Sequence, residues 1–191
     1  PLSTGTAGLY QVDEGSTFCL PCLTGTYQNN LGGSDCKACP EGYKNGGTKA
    51  ALCTECDMGQ YNDQTKQPSC KNCWAGKYSK ELGATADRVC LQCKKGTYST
   101  TIGSNTDDVC TPCAPGKWSN TDGASRPGDC KECEINYFSA DEGRKETCEK
   151  CPSDSTTKKK GQTICVKCDA GQYMNTETGD TGASIKSCRA W

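Results

Sequence analysis

The residues in this chain that could do chemistry are cysteines, and they come in pairs. Nine C-x-x-C pairs begin at Cys19, Cys36, Cys53, Cys70, Cys90, Cys110, Cys130, Cys148 and Cys165, and Cys188 follows as a single residue. Paired thiols at this spacing can ligate zinc, exchange disulfides catalytically or cross-link a scaffold. Zinc sites of the Cys₄ type fit the separation between pairs. The odd number of pairs, the lack of histidine and the unbroken period oppose them. Thiol–disulfide catalysis needs a C-x-x-C at a helix start in a βαβ context, which the sequence does not supply. Histidine-based triads are excluded. Short acidic clusters such as Asp107-Asp108 and Asp141-Glu142 are too irregular for an EF-hand loop. Cross-linking is left, with no enzymatic activity, metal or cofactor expected.

Composition points the same way. Nineteen cysteines in 191 residues is about 10%, and Leu, Ile, Val and Phe together make only about 9%. So little aliphatic material cannot build an ordinary core, and cross-links that replace one persist in oxidising compartments. The expected location is extracellular or the cell surface. No 18-residue apolar run is present. A start at Pro1 without signal peptide or initiator Met reads as a processed or partial chain. The net charge of −1 offers no basic face for nucleic acid, and the run Lys158-Lys159-Lys160 reads as a solvated loop. No N-x-S/T acceptor occurs, although the many Ser and Thr offer sites for O-linked sugar.

The elements that hold these cysteines repeat. Successive pairs lie 17, 17, 17, 20, 20, 20, 18 and 17 residues apart, with 23 from Cys165 to Cys188. This divides the chain into a degenerate first repeat at 1–18, then repeats at 19–35, 36–52, 53–69, 70–89, 90–109, 110–129, 130–147 and 148–164, and a last one at 165–191. Three residues after the second cysteine of each pair come Gly25, Gly42, Gly59, Gly76, Gly96, Gly116, Asn136, Asp154 and Gly171. These types best tolerate positive φ, so a tight turn is expected there. Two residues further on stand Tyr27, Tyr61, Tyr78, Tyr98, Trp118, Phe138 and Tyr173, with Lys44 and Thr156 as exceptions. A periodic aromatic beside a disulfide reads as the small apolar plug of each unit. A second glycine falls five residues after that slot at Gly32, Gly83, Gly103, Gly123, Gly143 and Gly161. Short strands between glycine turns predict thin β-hairpins, not helices. The fold class expected is small and disulfide-rich, mainly β or irregular: an elongated rod of about ten tandem repeats without a large core.

Translational symmetry suggests one repeated bond, from the second cysteine of each pair to the first of the next. The pairs would be Cys22–Cys36, Cys39–Cys53, Cys56–Cys70, Cys73–Cys90, Cys93–Cys110, Cys113–Cys130, Cys133–Cys148, Cys151–Cys165 and Cys168–Cys188. Cys19 remains, because Gly5 occupies its partner slot. It is then either a spectator thiol or a bond to another chain. The alternative, first-to-third and second-to-fourth pairing in blocks, breaks the symmetry and strands more cysteines. The other end also carries a half-motif, with Trp191 where the second cysteine would sit.

Cys-x-x-Gly-x-aromatic followed by Cys-x-x-Cys, as in Cys73–Cys93 and Cys93–Cys113, resembles tandem extracellular modules of the ephrin-receptor-like and tumour-necrosis-factor-receptor-like type, kin to EGF-like repeats. It also resembles the uniform C-x-x-C arrays of surface antigens and fibrous surface proteins. The function expected is a structural, non-enzymatic stalk, surface coat or filament subunit, whose partners are other copies of itself or other extracellular proteins. The alternative is a receptor or adhesion ectodomain. Its candidate contacts are Lys44, Asp154, Thr156, the lysine run and the 19-residue loop before Cys188.

Overall fold

The computed structural model describes residues 6–12, 18–178 and 184–190. Gly5, Gly15, Trp191 and the 179–183 part of the last loop lie outside the described residues. The chain divides into two compact units, residues 1–91 with 101–107 and residues 92–100 with 108–191.

In the first unit, two-residue strands pair antiparallel, first around the free Cys19 and then across successive disulfide loops. Leu9–Tyr10 pairs with Leu20–Pro21, Thr26–Tyr27 with Lys37–Ala38, Tyr43–Lys44 with Thr54–Glu55, and Gln60–Tyr61 with Lys71–Asn72. The second unit repeats the plan with Thr97–Tyr98 on Thr111–Pro112, Lys117–Trp118 on Lys131–Glu132, Tyr137–Phe138 on Glu149–Lys150 and Ser155–Thr156 on Val166–Lys167. Its last hairpin is longer, Gln172–Thr178 against Ser184–Ala190. Where the repeat lengthens to 20 residues, the extra residues coil into single 3₁₀ turns at Asp87–Val89, Asp107–Val109 and Pro127–Asp129. The sequence reading had no helical element there, since three residues carry no period.

Isolated two-stranded hairpins are marginal in water, so each one leans on the next. Within the first unit the turn glycine donates its N–H to the residue after the next segment's aromatic slot: Gly25 to Asn45 (2.7 Å), Gly42 to Asn62 (2.8 Å) and Gly59 to Ser79 (2.8 Å). The same glycines accept from the second cysteine of the following pair, as in Cys39 to Gly25 (2.9 Å) and Cys56 to Gly42 (2.8 Å). That cysteine's own carbonyl accepts from the second-glycine slot one segment on, as in Lys66 to Cys39 (2.8 Å) and Gly83 to Cys56 (2.9 Å). The second unit has the same set, with Gly96 to Ser119, Cys113 to Gly96 and Gly123 to Cys93 at 2.7–2.8 Å. Backbone bonds that recur at one register make the hairpins a stack within each unit.

The interior of the stack is sulfur and small polar groups. Cys22, Cys39, Cys56, Cys73, Cys113 and Cys133 are fully buried, and Gln28, Asn62, Ser79, Ser99, Ser119, Ser139 and Thr157 are buried beside the aromatic slot. The aromatics were expected to plug each unit. Only Tyr61 among them is buried, at 8% exposure; Tyr27, Tyr78, Tyr98, Trp118 and Phe138 are half-buried and Tyr173 is exposed. A side chain on a two-residue strand has no second sheet to cover its outer face, so the ring lies over its cross-strand neighbour instead. Lys71 sits 5.9 Å from the Tyr61 ring centre and Lys131 5.1 Å from that of Trp118.

Candidate functional site

The second cysteine of each pair is the fixed point from which every other side chain is positioned. Bonds join Cys22–Cys36, Cys39–Cys53, Cys56–Cys70 and Cys73–Cys90 in the first unit, and Cys93–Cys110, Cys113–Cys130, Cys133–Cys148, Cys151–Cys165 and Cys168–Cys188 in the second. Each closes a loop of 14–20 residues with Cα atoms 5.4–5.8 Å apart. Closing a loop of this length restricts the unfolded chain by roughly 3 kcal/mol per bond. Cys19 carries a free, half-buried thiol.

The turn slot behaves by residue type. Gly25, Gly42, Gly59, Gly76, Gly96, Gly116 and Gly171 all have φ between 75° and 82°, and Asn136 reaches 71°. Asp154 is not in the left-handed region. The expected turn forms there without positive φ, with the Ser155 N–H donating to the Pro152 carbonyl at 3.2 Å, and the exposed Asp154 carboxylate pairs with Lys167 at 2.7 Å. That hydrogen bond lowers the pKa of Asp154 and raises that of Lys167.

Asn136 does more than replace glycine. Its backbone N–H donates to Thr157 Oγ1 at 2.7 Å. With its amide oriented so that both ends are satisfied, Nδ2 donates to Thr156 Oγ1 and Oδ1 accepts from the Lys186 N–H at 2.9 Å. Thr156 Oγ1 in turn donates to the Lys186 carbonyl at 3.0 Å. Two buried side chains thus tie the final hairpin to the preceding repeats of the second unit. Thr156 was a candidate ligand contact by sequence. It is 2% exposed and occupied internally, so that reading is corrected. Lys44 is half-buried and reaches Asp57 at 3.3 Å, while Lys160 of the lysine run pairs with Glu134 at 2.8 Å.

Two features escaped the sequence reading. The residue after the aromatic slot is a polar position turned inward: half-buried Asn45 and fully buried Asn62 donate from Nδ2 to the Thr26 and Tyr43 carbonyls of the preceding segment at 2.7 and 2.8 Å. The signal was present as a repeated Tyr-Asn, Tyr-Ser, Trp-Ser or Phe-Ser dipeptide. Lys49 and Lys66 also hold the second-glycine slot, each with φ of 60°. Their register five residues after the aromatic slot would have found them.

Residues 8–51, 42–90 and 125–163 match the family model described as tyrosine-protein kinase ephrin type A/B receptor-like. The matched stretches cover more than half of the chain. The chain belongs to this ephrin-receptor-like family. The family is a receptor-like cysteine-rich repeat and not an enzyme class. No curated protein matches the chain. Membership and the disulfide content together suggest an extracellular module. Among the described residues no helix is long and apolar enough to cross a membrane.

Proposed function

We propose that this chain is a non-enzymatic extracellular structural module, a disulfide-laddered stalk, surface-coat or filament subunit whose units are the repeats opened by each C-x-x-C pair. The observation that carries the reading is the recurrence of one backbone pattern. Turn glycine, second cysteine and second-glycine slot make the same three hydrogen bonds from segment to segment. A surface built by repetition suits a spacer that must hold its length, because each segment adds one cross-link and one set of stacking bonds.

Protein from its natural source, alkylated before reduction and weighed intact, tests the covalent part. The expected result is nine internal disulfides, with Cys19 either alkylated once or linked to a second chain. Electron micrographs of the same material test the assembly. Regular polymers or a coat are expected; isolated molecules that bind a protein ligand saturably would replace this reading with the receptor one. The receptor reading draws on the family's printed description and on exposed atypical side chains such as Asp154 and Lys158.

A further inference from the structure

We propose that the groove beside Trp74 binds a neutral sugar ring, the terminal or penultimate pyranose of a glycan. Tyr61, Lys71, Asn72, Trp74 and Ile102 line it, all in the first unit, around a volume of about 310 Å³. Trp74 is 72% exposed and Ile102 56%. Exposure of two large apolar groups in one groove is not a requirement of the fold, because the equivalent slots close differently. Where the Cys133 segment meets its neighbour, the same two positions hold Glu134 and Lys160 as an ion pair at 2.8 Å. At the Cys93 segment Asp122 takes one of them and accepts from the Lys95 N–H at 3.1 Å.

The groove is preorganised. Gly103 N–H donates to the Cys73 carbonyl at 2.8 Å, which joins Ile102–Gly103 to Cys73–Trp74. The Trp74 carbonyl closes a turn with the Lys77 N–H at 3.0 Å, and Cys73 is bonded to Cys90. A backbone held this way leaves only the two indole torsions to be ordered on binding.

The lining chemistry selects the ligand. A flat aromatic face accepts the C–H face of a pyranose, and its hydroxyls need donors and acceptors at the edge. Asn72 Oδ1 accepts from Gln60 Nε2 at 3.0 Å, so its own amide hydrogens are the groups offered to a ligand. The Lys71 ammonium lies 2.6 Å from Asp63, so the groove presents no uncompensated charge for an ionic ligand. A protein partner fits less well. Two apolar side chains are far from the roughly 1,000 Å² that a stable protein interface requires, whereas about 300 Å³ is the lower end of small-ligand pockets. The inference is independent of whether the chain forms stalks or filaments.

The test is a printed array of neutral glycans, followed by titration in solution with cellotriose and N,N′,N″-triacetylchitotriose. The readout is isothermal titration calorimetry of the disulfide-intact chain, which reports binding equally in wild type and in variants that lack Trp74. Saturable binding to neutral glycans is expected, with dissociation constants of about 1 mM or tighter for the array's best ligands. It should fall at least tenfold in Trp74→Ala and weaken in Ile102→Ser, both with unchanged circular dichroism and disulfide count. Binding to no neutral glycan overturns the proposal, as does equal binding by wild type and both variants. Selective capture of a protein, with glycans ignored, also overturns it.

Discussion

Gly25 and Lys66 face each other across an intervening segment, both with positive φ, 75° and 60°, and a Cβ built on Gly25 would overlap the Lys66 carbonyl oxygen. The same overlap joins Gly42 with Gly83 and Gly59 with Gly103 in that unit. The turn glycine therefore serves twice: it supplies the left-handed backbone, and its missing side chain lets the segment after next close over it. Glycine at Gly32, by contrast, has φ of 69° and open space around it. Ala at Gly32 should cost about 1 kcal/mol from backbone strain. Ala at Gly25 should cost about 3 kcal/mol or more, because backbone must also move. Amide exchange at Cys39, whose N–H donates to Gly25, measures the difference locally. Equal effects of the two variants would show that stacking places no demand beyond φ.

Lys66 holds an unfavourable conformation with nothing in its side chain to justify it. Lys66→Gly removes roughly 1–2 kcal/mol of left-handed strain against less than about 1 kcal/mol of added unfolded-chain entropy. The net gain expected is about 0.5–1 kcal/mol. It should appear as slower exchange of the residue-66 amide, which donates to Cys39, by about twofold to fivefold. Lys49→Gly should behave alike, since Lys49 has the same φ and donates to Cys22 at 2.9 Å. Faster exchange in both variants would contradict the strain argument.

The fold class was legible because cysteine and glycine are read through covalent geometry and φ, which need little context. Gly42 and Gly59 are turns wherever they stand. The aromatic slot was less legible. Whether Tyr98 becomes a plug or a half-covered ring depends on what lies outside it, and a two-residue strand supplies nothing there. The burial of Ser99 and Asn62 was hidden for a related reason. Polar residues read as surface unless a partner is known, and the partner of Asn62 is the Tyr43 carbonyl, 19 residues away. Thr156 shows the same limit, since its apparent oddity in an aromatic slot marks a tie to Lys186 and not a free surface.

Asn62 offers a sharp check on that polar column. It is fully buried, and its Nδ2 donates to the Tyr43 carbonyl at 2.8 Å. Asn62→Ala should cost about 1–3 kcal/mol through the unpaired carbonyl. Asn62→Asp should cost more at pH 7, because a buried carboxylate would face that carbonyl. Burial raises the acid's folded pKa above its unfolded value, so the excess cost grows with pH and shrinks as the group protonates. Limited proteolysis of the disulfide-intact protein at pH 4.5 and 7 reads this out. A pH-independent Asp variant would place Asn62 nearer to solvent than its burial implies.

Asp129 titrates in the opposite direction. It closes the 3₁₀ turn Pro127–Asp129 by accepting from the Ser125 N–H at 2.9 Å, the Arg126 N–H at 3.2 Å and Arg126 Nε at 3.2 Å. The bond from Ser125 is the largest cause holding its carboxyl below the ordinary carboxylate value, assisted by Arg126. A depressed folded pKa means that the ionised form stabilises the turn above the unfolded value near pH 4, and that this contribution is lost as pH falls through the folded one. Asp129→Asn keeps the shape and removes the charge, and should cost about 1 kcal/mol at pH 7. Its effect should fade progressively below about pH 4, where the wild-type carboxyl also becomes neutral. Amide exchange at Ser125, referenced to a peptide at each pH, follows that convergence. If the two proteins differ equally at pH 7 and pH 2.5, shape and not charge holds the turn.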